Sequence, residues 1–183
     1  MKRGRNELTG GSGDINPQWL TFNAITQSAA NTYTETSINL PINRFQNPKG
    51  RSIVMEALKV EFTMPSIDSN SAAGGDLKAC FIQLSPSSSS AINTSDPKVL
   101  AQYSRQFRGA FTAGGSYSTV ENNPELIDLT DGNGHGVLVA TDTLFLGVNT
   151  SGYTNAAPFA CRVLYRFKIV TLEEYIGIVQ SQQ

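Results

Sequence analysis

Hydrophobic and polar residues alternate with a period of two over most of the chain. Ile38, Leu40 and Ile42 alternate with Ser37, Asn39 and Pro41. Val54, Leu58, Val60, Phe62 and Met64 share one face of a long predicted strand, with Lys59, Glu61 and Thr63 on the other. Leu77, Ala79 and Phe81 begin a third strand, which ends before Ser85-Pro86-Ser87-Ser88-Ser89-Ser90. Val99 to Phe107 alternates less cleanly and could include helix, and short strands are expected at 116–121, 125–130, 136–141 and 143–148. The clearest case is 160–170: Cys161, Val163, Tyr165, Phe167 and Ile169 point one way, and Arg162, Leu164, Arg166 and Lys168 the other. Such alternation marks a half-buried strand with its apolar row in the core.

Eight or nine strands with no amphipathic helix, separated by Gly-, Ser-, Thr- and Asn-rich turns, predict an all-β fold. The expected architecture is a single antiparallel jelly-roll sandwich of eight strands. Residues 1–18, with Gly10-Gly11-Ser12-Gly13 as a hinge, read as a short flexible basic arm, and 19–183 as the jelly-roll body.

Composition narrows the function. Hydrophobic residues are 39% of 183, enough to build a core without disulfide staples. Cys80 and Cys161 sit in apolar runs, as buried free thiols do. Met1-Lys2-Arg3-Gly4-Arg5 is not followed by an apolar stretch, so no secretory signal and a reducing compartment are expected; no apolar run suits a membrane span.

His135 is the single histidine and lies in Asp131-Gly132-Asn133-Gly134-His135-Gly136, a tight turn rather than a rigid catalytic seat. Asp128, Asp131, Asn133 and Asp142 offer oxygen donors for calcium but lack EF-hand spacing, so turn formation is the preferred reading. No nucleophile, metal or phosphate-loop constellation appears, and neither an enzyme nor a cofactor is expected.

Net charge is −1, unlike a typical DNA-binding domain. The cations are nonetheless grouped: Lys2, Arg3 and Arg5 in the arm; Arg44, Lys49 and Arg51 in one loop; Arg105 and Arg108 as a pair; Arg162, Arg166 and Lys168 on one strand face. These groups are either solvated polar faces or phosphate contacts, with Trp19, Phe22 or Phe45 as base-stacking partners. The first, second and fourth groups are the candidate nucleic-acid contacts.

Two stretches carry a resemblance, Asp128-Leu129-Thr130-Asp131-Gly132-Asn133-Gly134-His135-Gly136-Val137-Leu138-Val139-Ala140-Thr141-Asp142 and the tail from Val163-Leu164-Tyr165-Arg166-Phe167-Lys168 to Gln183. With Ile53 to Phe62, they resemble the capsid proteins of small circular, Rep-encoding single-stranded DNA viruses, in particular environmentally sampled, unclassified members. The resemblance runs from about residue 33 to the end. It implies a jelly-roll subunit, self-assembly into a T=1 icosahedral shell, a circular single-stranded DNA genome inside, residence in the virion, and delivery to a host nucleus. Those proteins carry a long arginine-rich arm, whereas this one has three cations, so the sheet face and loops are expected to hold more of the DNA. The serine-rich loop 85–95 and segment 109–118 are candidates for outer-surface receptor contacts. A carbohydrate-binding jelly roll of the lectin type is the alternative, and it suits the near-neutral charge.

Overall fold

A computed structural model describes residues 17–41, 50–66, 77–108 and 124–182, apart from the side chains of Asn23, Phe107 and Arg108. The predicted strand at 116–121 lies outside them. The described residues form nine strands: β1 Gln18–Thr26, β2 Thr34–Asn39, β3 Arg51–Thr63, β4 Leu77–Ser85, β5 Ala101–Arg108, β6 Glu125–Asp128, β7 Val137–Val139, β8 Thr143–Ser151 and β9 Pro158–Thr171. One sheet runs β1-β9-β3, with β6 and β7 both on the far edge of β3; the other runs β2-β8-β4-β5. All pairings are antiparallel.

The pairing is nested. The first strand pairs with the last, the second with the next to last, and β4 with β5. β3 pairs with β6 along Lys59–Phe62 and with β7 along Met55–Ala57, so β6 and β7 are one strand interrupted by a loop. This is a jelly roll of eight strands, one of them split.

The interruption has a local cause. Leu58 bulges out of the β3–β9 register between Ala57 and Lys59, and its carbonyl accepts the Leu129 N–H at 2.9 Å. The loop then closes through Asp131: its carboxylate accepts N–H groups from Asn133 (2.8 Å) and His135 (3.1 Å), and its N–H reaches the His135 carbonyl at 2.9 Å. Gly132 and Gly134 supply the positive φ expected of this turn. At Gly136 the backbone runs so close to Ala57 that a Cβ would lie 2.1 Å from its carbonyl oxygen.

The core lies between the sheets, with Met55, Val60, Phe62, Ile82, Leu84, Leu144, Leu146, Phe159 and Val163 fully buried. Burying such side chains contributes roughly 1.5–3 kcal/mol each.

The Leu58 bulge corrects the predicted faces of β3. Met55 and Ala57 join Val60, Phe62 and Met64 in the core, while Val54 turns to the outer face. Ile169, expected in the core, is 50% exposed, because β9 runs past the sandwich by that point. The 101–108 stretch is strand throughout, paired with β4.

A helix absent from the sequence reading, α1 Leu172–Ser181, covers Val54. The Thr171 hydroxyl accepts the Glu174 N–H at 3.2 Å, and Glu173 and Glu174 lie in the first turn, where the helix dipole favours acids. Tyr175, Ile178 and Val179 pack on Val54, Ala140 and Val170, a small cluster separate from the core. Past the helix, the Gln182 carboxamide accepts the Ala140 N–H (3.1 Å) and donates to the Leu138 carbonyl (2.6 Å). It thereby fills the place of a neighbouring strand beside β7.

Candidate nucleic-acid interface

Of the candidate contacts, Lys2, Arg3, Arg5, Arg44 and Lys49 lie outside the described residues, as does Phe45. Arg51 opens β3, exposed, paired with Thr171. Arg162, Arg166 and Lys168 share the outer face of β9, as alternation predicts. Phe22, offered as a stacking partner, is buried in the core. Trp19 is 44% exposed.

Cross-strand register decides what these cations do. Arg162 stands between Thr21 on β1 and Glu61 on β3. Its Nε donates to Glu61 Oε1 at 3.0 Å and its Nη2 reaches both carboxylate oxygens at 2.6 Å. The same guanidinium lies 4.9 Å from the centroid of the Trp19 ring. Arg162 is 46% exposed and Glu61 14%, so the pair contributes about 0–1 kcal/mol to stability; its effect is to hold the arginine over the ring.

Arg166 is differently placed. It pairs with Glu56, whose side chain is 1% exposed, and donates a second bond to the Gly134 carbonyl at 3.1 Å. The other Glu56 oxygen accepts the Gly136 N–H at 3.0 Å. Burial works against ionisation of Glu56, but Arg166 and the Gly136 N–H outweigh it and hold the carboxyl below its ordinary pKa. The β6–β7 loop is thus fastened to the sheet through one buried carboxylate.

Lys59 lies 3.5 Å from Asp128, whose pKa is lowered chiefly by hydrogen bonds from the Thr130 hydroxyl and N–H. Lys168 stands opposite Val54, two residues beyond Arg166. Among the described residues on this face, Lys59, Arg162 and Arg166 meet Asp128, Glu61 and Glu56. The row of cations legible in the sequence is therefore largely neutralised across the strands. Arg162 can meet a phosphate by exchanging its carboxylate, whereas Lys168, half-buried, and Arg51, exposed, add charge on β9 and β3.

The remaining candidates serve the scaffold. His135 Nδ1 lies 3.2 Å from Asp131 Oδ2 on the exposed turn. No group of three or more His, Cys, Asp or Glu residues is set to hold a metal among the described residues. Cys80 and Cys161 are buried and form no disulfide, and burial pushes the Cys161 thiol up. The serine-rich loop folds back onto the second sheet: Glu35 accepts the Ser88 hydroxyl (2.6 Å), the Ser89 N–H (2.9 Å) and the Tyr33 hydroxyl (2.8 Å). Segment 109–118 lies outside the described residues.

No protein-family model and no curated protein matches the chain significantly. Solved structures do. The VP1 pentamer of human polyomavirus 6 aligns at 15% identity over 86% of this chain and 96% of that one, with a TM-score of 0.53. The VP1 pentamer of human polyomavirus 7 aligns at 12% identity over 85% and 96%, TM-score 0.53. VP1 of trichodysplasia spinulosa-associated polyomavirus, in complex with GM1 oligosaccharide, aligns at 11% identity over 87% and 97%, TM-score 0.51. The chain shares with these VP1 proteins a jelly-roll fold over 85–87% of its length.

Proposed function

We propose that this chain is a non-catalytic virus coat protein that assembles with copies of itself into a small closed shell. The observation that carries the reading is the nested jelly roll, shared with VP1 capsid subunits across almost the full length of both chains. Loops and sheet edges supply heterologous contacts that close around symmetry axes, and each subunit makes several at once, so individually modest contacts suffice. The similarity to subunits solved as pentamers makes a fivefold ring a natural unit of that shell.

The finer reading is a T=1 shell around circular single-stranded DNA, present in the virion and assembled in a host nucleus. It rests on the resemblance to circular single-stranded DNA virus capsids and on the clustered cations Lys2, Arg3, Arg5, Arg44, Lys49, Arg51, Arg162, Arg166 and Lys168. The Arg162 and Arg166 carboxylate pairs reduce the charge available on the sheet, so the terminal segment, Arg51 and Lys168 carry more of the phosphate contact than position on β9 alone suggests.

Expression of the full chain followed by sedimentation, negative-stain microscopy and nuclease challenge tests the reading. Uniform spherical particles holding nuclease-resistant DNA are expected. A stable monomer or small oligomer without nucleic acid would overturn it in favour of a glycan-binding module. That second reading has one observation in its favour, a similarly folded VP1 solved with GM1 oligosaccharide.

A further inference from the structure

We infer that Trp19 and Arg162 form a base-stacking platform for single-stranded nucleic acid on the outer face of the β1-β9-β3 sheet, an inference that rests on the packaging reading above. Trp19 is the only tryptophan of the chain, and it is kept 44% exposed on a sheet face rather than in the core. The Arg162 guanidinium lies 4.9 Å from its ring centroid and is locked on its other side by bidentate bonds to Glu61. An aromatic ring with a stacked arginine, fixed in orientation before binding, is the element that holds an unpaired base without regard to sequence.

With the arginines of this face already paired, Lys168 is the cation that adds attraction for a phosphate backbone. Trp19 stands opposite Leu164, two residues from Arg166 and four from Lys168, all on the same outer face. β1 begins with Gln18 opposite Tyr165, beside Arg166. Two cavities among the described residues, between β1 and β2 (about 320 Å³) and beside β4 and β5 (about 330 Å³), are lined by other residues. Glu61 acts here as a positioning residue: it aims Arg162 and leaves the stacking to Trp19.

Because Trp19 is unique, its fluorescence reports on the platform directly. Titration of the unassembled full-length subunit with oligothymidylate is expected to quench the emission saturably. Trp19→Ala should weaken binding of a labelled oligonucleotide about tenfold, with Trp19→Phe recovering part of the loss. Glu61→Gln should reduce the quench amplitude while leaving the unfolding midpoint near wild type. Oligonucleotide binding with unchanged Trp19 emission would overturn the platform and leave the coat-protein reading intact. Quenching by sialylated oligosaccharide but not by oligothymidylate would also overturn it, and the particle assay would then show separately whether the shell reading stands.

Discussion

Glu56 and Arg166 face each other across β3 and β9 on the outside of the sheet, and Glu56 is nonetheless 1% exposed, roofed by the β6–β7 loop whose Gly136 N–H it accepts. The pair joins three segments that are distant in the chain, so its removal is felt as loss of loop attachment as well as loss of charge pairing.

Arg166→Gln leaves a buried carboxylate uncompensated and is expected to destabilise the subunit by about 3–5 kcal/mol, whereas the double change Glu56→Gln with Arg166→Gln costs less than the single. Urea unfolding of the two variants measures the difference.

Acidification acts through the same carboxyl. Its folded pKa is depressed below the ordinary value of 4.5, so the stability it contributes is present above that value and is lost as pH falls through the folded pKa. The unfolding midpoint of the wild type should drop on acidification below about pH 4.5, and that of Glu56→Gln should drop less.

Asn31 holds a left-handed backbone (φ 57°) at the β1–β2 turn. Its side chain donates to the Tyr153 carbonyl and accepts the Tyr153 N–H, both at 2.9 Å, and its own N–H reaches the Thr150 hydroxyl. Asn31→Ala removes both side-chain bonds and adds backbone strain, for an expected loss of about 2–4 kcal/mol. Asn31→Gly, which relieves the strain alone, should lose less in the same unfolding assay.

Gln182 gives a local readout. Gln182→Ala should leave the global unfolding midpoint within about 1–2 kcal/mol of wild type while markedly speeding hydrogen exchange at the Ala140 amide, which Gln182 Oε1 caps.

For DNA, Lys168→Gln is expected to lower the salt dependence of single-strand binding by about 0.7 in the log–log slope, the value of one phosphate contact. An unchanged slope would remove Lys168 from the interface.

Much of this fold is written in period-two alternation. β9 and most of β3 were legible because each carries an uninterrupted apolar row of several residues. β1 was not, because a register shift between Phe22 and Ile25 breaks its alternation, and Val54 was assigned to the wrong face because the Leu58 bulge lies downstream of it. The helix was missed although Thr171-Leu172-Glu173-Glu174 spells a capping box, since its apolar side continues the hydrophobic pattern of β9 and none of its residues is fully buried. At the interface, spacing along β9 located Arg162, Arg166 and Lys168 on one face. It could not identify Glu56 and Glu61 as their partners, because that pairing exists only once β3 lies beside β9 in a particular register.

The nested strand order also sets a timetable for synthesis. β9, the last of the described strands in chain order, lies between β1 and β3 in the middle of its sheet. Until Thr171 has left the ribosome, β1 has no partner from the described strands in that sheet, and β3 has only the short β6 and β7. A pairing between Gln18–Thr26 and Pro158–Thr171 is about as non-local as this chain allows, and such contacts close late and slowly. The sheet around β9 is therefore completed only after the chain has been made as far as Thr171, and β1 waits for its partner until then.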